Sequence, residues 1–184
     1  MLFPQGVQAA ALQLSPPGGT LDVDETMDVK INLSLSSGES VSGVDAELTF
    51  DNDKLQVTTI EESSLFNTYP ISTYSNDNGT IQVSGITETG SSLSDGGTLA
   101  TVTFKGKSAG TAAVTFDFTS GSTTDSNVAE ADTDTDLLES VVNGSYTVSG
   151  DGGVGGGTTS TDEETGLPTT GNQETTLALF LGGF

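Results

Sequence analysis

Two packed antiparallel sheets, an all-β jelly-roll sandwich of about nine strands, is the fold class predicted by this chain of 184 residues. Three observations lead there. Apolar residues recur with period two over several short runs, the mark of strands with one buried face. Between the runs stand clusters of Gly, Pro, Asn, Asp and Ser that turn a chain. No long segment carries the 3.6-residue period of an amphipathic helix.

In chain order, Leu12 and Leu14 open a short strand that stops at the breaker cluster Ser15-Pro16-Pro17-Gly18-Gly19. Met27, Val29, Ile31, Leu33 and Leu35 then alternate with polar residues, and Ser36-Ser37-Gly38-Glu39 turns the chain. Val44, Ala46, Leu48 and Phe50 point inward while Asp45, Glu47 and Thr49 point out, and Asp51-Asn52-Asp53 leads into a strand begun by Leu55 and Val57. Runs at 71–75 and 80–85 flank Asn76-Asp77-Asn78-Gly79, where Asn-Gly is a hairpin signal because both residues tolerate positive φ. Residues 97–118 read as a second hairpin: Ala100, Val102 and Phe104 point inward, then Ala112, Val114, Phe116 and Phe118, with a break at Lys107-Ser108-Ala109-Gly110. An acidic surface loop over 125–136 and a closing strand over 141–148 complete the set.

Composition narrows the function. Apolar residues make up only 33% of the chain, and they concentrate between Leu12 and Val148, which implies one modest core with dilute ends. Against 26 acidic residues there are 4 basic ones, for a net charge of -22, so binding to nucleic acid or an anionic bilayer is disfavoured. The chain has neither Cys nor His, which removes disulfides, zinc sites and the usual catalytic triads. Paired carboxylates alone could serve a glycosidase, but that chemistry needs a shaped sugar cleft and the chain has no Trp. The expectation is a binding protein without catalytic activity and without a required cofactor.

Four parts follow. Residues 1–10 are either the remnant of an export signal, for which Val7-Gln8-Ala9 supplies a small-x-small cleavage pattern, or an unstructured N-terminus. Residues 11–149 form the sandwich. Residues 150–166, GDGGVGGGTTSTDEETG, have the composition of a disordered linker. Residues 167–184 hold Leu167-Pro168-Thr169-Thr170-Gly171 followed by the apolar run Leu177-Ala178-Leu179-Phe180-Leu181. That pentapeptide resembles the LPxTG sorting signal of Gram-positive-type surface proteins. The resemblance implies that a sortase cleaves between Thr170 and Gly171 and joins the chain to the cell wall, making the protein extracellular and wall-anchored. The apolar run is too short to span a bilayer as written.

The strand motifs, in order, resemble the cohesin domain of cellulosomal scaffoldins and related bacterial surface proteins over roughly residues 11–149. Gly43-Val44-Asp45-Ala46-Glu47-Leu48-Thr49-Phe50-Asp51 with Leu55 is similar to the family's strand ending in a Tyr/Phe-Asp turn. Asn78-Gly79-Thr80-Ile81 is similar to its Asn-Gly-Lys-Ile hairpin, and Gly97–Lys105 with Ala109-Gly110-Thr111 to its most recognisable strand pair. The resemblance implies a nine-stranded non-catalytic sandwich whose 8-3-6-5 face receives a dockerin-like module. Asp45 falls at the family's binding Asp, Gly43 stands where Asn is common, and Glu88 lies near a contact acid after strand 6. It also implies that 97–118 is the strand 8 and 9 region, with Thr101, Thr103 and Lys105 at the edge of the binding face.

Asp45, Glu47, Tyr74, Gln82, Ser84 and Glu88 are therefore the candidate partner-binding residues. Against this stands the plain reading that they are the solvated side of a half-buried sheet. Two other roles fit the same sandwich: a carbohydrate-binding module for a surface polysaccharide, with Tyr74 as a sugar platform, and a passive adhesin or stalk. Asp132-Thr133-Asp134-Thr135-Asp136 is similar to the first half of a calcium loop, but Leu137 and Asn143 stand where an EF-hand needs Gly and Glu. A looser Ca2+ site would draw on Asp125, Asn127, Asp132 and Asp134. The plain reading of these acids is solubility.

Overall fold

The computed structural model describes residues 10–133 and 135–150. They form two sheets face to face. The strands are β1 (Ala10–Ser15), β2 (Gly18–Asp22), β3 (Thr26–Ser34), β4 (Val41–Phe50), β5 (Leu55–Glu62), β6 (Thr68–Ser75), β7 (Thr80–Ile86), β8 (Gly97–Gly106), β9 (Gly110–Phe116), β10 (Asn127–Glu130), β11 (Leu138–Val142) and β12 (Gly144–Ser149). One sheet has the order β11-β1-β3-β8-β5; the other runs β2-β12-β9-β4-β7-β6, with β10 also paired to β4. Pairing is antiparallel except for β1 with β11 and β2 with β12.

The all-β sandwich is as expected, but twelve strands stand where about nine were expected. The three additions share one cause: strands that cross between sheets or pair only briefly leave no long period-two run. The Pro-Gly cluster after β1 does not end in a loop; β2 begins at Gly18 and joins the opposite sheet. The closing strand is two, β11 in one sheet and β12 in the other, broken at Asn143. The acidic surface loop contains β10, whose Val128 is wholly buried.

The expected hairpin over 97–118 is not one. β8 pairs with β3 and β5, whereas β9 pairs with β12 and β4 in the other sheet. The link at Lys107 to Ala109 is thus an arch over the end of the sandwich. The inward residues were read with the right parity, since Ala100, Val102, Phe104, Ala112, Val114 and Phe116 are all buried. Alternation reports which face is apolar but not which strand lies alongside. Here the two apolar faces meet across the core instead of lying side by side. The hairpin at 76–79 does form, joining β6 to β7 in register Ser75 to Thr80. Only Gly79 takes positive φ, at 66°, and a Cβ there would collide with the Phe50 carbonyl.

The core lies between the sheets. Phe104 stands at its centre, edge-on to Phe50 at 5.7 Å and stacked on Tyr146 at 6.4 Å between ring centroids. Tyr146 is completely buried, and its hydroxyl donates to the Pro16 carbonyl at 2.8 Å. Burial without a charged partner pushes the Tyr146 phenol up to about 12. Gly85 faces inward on β7, where a Cβ would come within 2.6 Å of the Phe66 ring. The absent side chain makes room for that aromatic.

Candidate functional site

In the larger sheet, residues directly opposite on neighbouring strands point to the same side. Val44, Ala46 and Leu48 of β4 face the core, so the alternate residues face outward. The register assembles them into rows. Thr115, Thr49, Thr80 and Ser75 make one; Glu47, Gln82 and Thr73 the next. Asn127, Asp45, Ser84 and Ile71 follow, and then Ala129, Gly43, Ile86 and Thr68. Across β9 and β10, β4, β7 and β6 these rows form one outer face.

Along its middle row Gln82 Nε2 donates to Glu47 Oε1 at 2.9 Å, which fixes both side chains in the plane of the face. β4 is supported on its other side by two strands in succession, β9 beside Leu48 to Phe50 and β10 beside Val41 to Asp45. At the junction the Ser126 hydroxyl accepts from the Glu47 N–H and donates to the Glu47 carbonyl, each at 3.0 Å. A single buried side chain thereby replaces a missing strand residue, and the ladder under Glu47 stays closed.

Of the six candidates, Asp45, Glu47 and Gln82 are brought together as expected, half-exposed on adjacent strands. Ser84 lies opposite Asp45 but is only 6% exposed, so neighbouring side chains cover it. Glu88 sits past the end of β7, exposed, in the wall of a polar recess of about 210 Å3 with Ser42, Thr87 and Asp132. Tyr74 is misplaced in the expectation. It pairs with Ile81, a core residue, and so has inward parity; its hydroxyl donates to the Thr58 carbonyl of the opposite sheet. Because β6 is an edge strand, its inward side chains reach past the core, which leaves Tyr74 39% exposed without placing it on the flat face.

Thr101, Thr103 and Lys105 also lie elsewhere, on the outside of the smaller sheet, where Thr103 Oγ1 donates to Asp28 Oδ1 and Lys105 pairs with Asp24. Two residues that sequence reasoning missed belong to the flat face: Ile71, 37% exposed, and Ile86, 42% exposed. The signal was present, since Ile86 continues the outward phase of Gln82 and Ser84.

The calcium candidates are dispersed in role. Asp125 is buried, with Oδ1 lacking a hydrogen-bond partner, and its carbonyl accepts from Asn127 Nδ2 at 3.0 Å. Asn127 stands beside Asp45 on the flat face, Asp132 is exposed at the polar recess, and Asp134 lies outside the described residues. Among the described residues no three acidic, His or Cys side chains form a group suited to a metal ion. Among the described residues the tyrosines form no row that could serve as a sugar platform. Tyr146 is sealed in the core, and half-buried Tyr69 is tied to Ser63 and the Leu99 carbonyl, which leaves Tyr74 alone. Leu167 to Gly171 fall outside the described residues.

A two-sheet sandwich with one outer face of mixed carboxylate, amide and aliphatic side chains, which no other described strand covers, defines a class of binding scaffold. The family is specific: the cohesin domain matches residues 12–148, and the chain belongs to the cohesin family. No curated protein matches it. Solved structures share the fold. The seventh ScaB type I cohesin from Pseudobacteroides cellulosolvens superimposes with a TM-score of 0.64 at 19% identity, covering 79% of this chain and 96% of that one. The sixth cohesin of scaffoldin B from Acetivibrio cellulolyticus, solved in complex with a Cel5 dockerin mutant, gives 0.62 at 20% identity, covering 77% and 99%. A non-cellulosomal cohesin from the archaeon Archaeoglobus fulgidus gives 0.56 at 14% identity, covering 77% and 91%.

Proposed function

We propose that this chain is a non-catalytic, extracellular cohesin module that captures a dockerin-bearing protein on the outer face of β9, β4, β7 and β6, and is held at the cell wall through Leu167-Pro168-Thr169-Thr170-Gly171. The observation that carries the first part is the family match over residues 12–148 joined to the open face. In the family's own count that face corresponds to strands 8, 3, 6 and 5, with Asp45 at its centre; β9 then takes the place of strand 8, so residues 97–118 lie one strand earlier than the expected strand 8 and 9 region. Binding there uses protein side chains alone and needs no cofactor.

The anchoring part rests on the pentapeptide and its place between an acidic linker composition and an apolar run. A sortase thiolate would attack the Thr170 carbonyl, release the segment from Gly171 onward, and pass the acyl group to a wall amine. Incubating the full chain with a sortase and an oligoglycine acceptor tests this. A mass shift equal to loss of residues 171–184 and gain of the acceptor is expected, and Pro168→Ala should block it; an unchanged mass would overturn it.

For the binding part, the immobilised full chain is exposed to secreted proteins of a cellulolytic culture. Recovery of dockerin-bearing proteins, identified by mass spectrometry, is the expected result. Retention of polysaccharide with no protein would overturn it in favour of a carbohydrate-binding module.

A further inference from the structure

The chain contains two Asn-Gly pairs, Asn78-Gly79 and Asn143-Gly144. Such a pair can modify itself, because glycine has no side chain to hold its backbone nitrogen away from the amide carbon of the preceding side chain. The nitrogen attacks that carbon and gives up its proton, the side-chain nitrogen leaves as ammonia, and water opens the five-membered imide. Opening at one carbonyl gives aspartate. Opening at the other gives isoaspartate, whose main chain runs through the side-chain carbon and is one atom longer.

The fold treats the two pairs oppositely. Asn143 Oδ1 accepts from the Phe116 N–H at 2.9 Å, which fixes that amide against β9. Gly144 opens β12, where it is buried and paired with Val114. Asn78, in contrast, is exposed in the turn between β6 and β7. Its backbone N–H donates to Ser75 Oγ at 3.2 Å, but among the described residues neither its side-chain amide nor the Gly79 N–H makes a hydrogen bond.

This turn also fastens the two sheets to each other. Asn76 Oδ1 accepts from the Val57 N–H at 2.8 Å and its Nδ2 donates to the Val57 carbonyl at 2.9 Å, so the turn holds β5 of the smaller sheet. From the end of β4, the Phe50 N–H donates to the Gly79 carbonyl at 2.8 Å, and Asn52 Nδ2 donates to the Asp77 carbonyl at the same distance. Every one of these bonds depends on the length of the main chain from Asn76 to Gly79.

We infer that Asn78 is a site of spontaneous deamidation, and that its isoaspartate product unfastens this end of the sandwich. The added atom shifts the Gly79 carbonyl from the Phe50 N–H and draws Asn76 off β5. The aspartate product leaves the main chain as it was and changes only the charge.

The test is to age the full chain in warm, mildly alkaline buffer, folded and in denaturant, and to map the products by mass spectrometry with fragmentation that separates isoaspartate from aspartate. Folded, Asn78 should convert at least tenfold faster than Asn143; in denaturant the two should convert within threefold of each other. In the fraction carrying isoaspartate, amide exchange should rise at Phe50 and Val57 and stay unchanged at Glu47. Asn78→Asp should leave exchange at all three as in the unaged chain. Equal conversion of the two sites in the folded chain, faster conversion of Asn143, or the same preference in denaturant would overturn the assignment of the site to the fold. Unchanged exchange at Phe50 and Val57, or an equal rise from Asn78→Asp, would overturn the unfastening.

Discussion

At the scale of single residues, the fold depends on side chains whose neighbours leave no latitude. Phe104 touches Phe50 and Tyr146 at the middle of the core, so Phe104→Ala should cost about 3–5 kcal/mol in chemical denaturation, the range for emptying a buried aromatic site. Val102→Asp should prevent folding, because it puts an unpaired carboxylate where exposure is 1%. Gly85→Ala tests the opposite error: its methyl would press on the Phe66 ring, and a loss of roughly 1–3 kcal/mol is expected from overpacking. Tyr146 carries a pH dependence of known sign. Its phenol is raised to about 12 by burial, so the folded chain keeps a proton that the unfolded chain loses near pH 10. The stabilisation is complete below pH 10 and is lost between about 10 and 12. Tyr146→Phe should lower the melting temperature at neutral pH, through the lost bond to Pro16, and should flatten its fall across that alkaline window.

Among elements, β4 has the most varied support, and it carries Asp45 and Glu47 of the proposed binding face. β7 lines its whole outer edge, while β9 and β10 share the other edge end to end. The Ser126 hydroxyl closes the gap between them, so Ser126→Ala should cost about 1–3 kcal/mol and raise amide exchange at Glu47 before it affects β3 or β8. This is also where legibility in the sequence ends. Val44, Ala46 and Leu48 alternate cleanly, and the parity of β3, β4, β7, β8 and β9 could be read without coordinates. Pairing could not. Period two says which side of a strand is buried, and it is silent on whether the next strand returns beside it or arches to the other sheet, as β9 does after β8. Tyr74 was lost for a related reason: its phase is inward, but an edge strand has no further neighbour to bury it. β10 escaped because four residues in an acidic stretch are too few to show a period. The centre of the face, Asp45 with Glu47 and Gln82, was legible because all three share the outward phase of two strands joined by one register.

For the molecule as a whole, the two outer faces of the sandwich differ in kind. The smaller sheet's face is closed by its own polar ladder, with Thr103 bonded to Asp28 and Thr98 to Asn32, and it carries the ion pair of Lys105 with Asp24. The larger sheet's face combines exposed Ile71 and Ile86 with carboxylates that no lysine meets. That asymmetry, on a chain of net charge -22, is the ground for proposing partner capture on the larger sheet. Calorimetric titration of a dockerin into two variants of the full chain, Asp45→Lys and Thr103→Lys, tests this most directly. Both substitutions place an ammonium at a solvent-facing strand position, the first also removing a carboxylate, and both should fold. Asp45→Lys is expected to weaken binding at least a hundredfold and Thr103→Lys to leave it within twofold. Equal losses, or the larger loss from Thr103→Lys, would contradict the account.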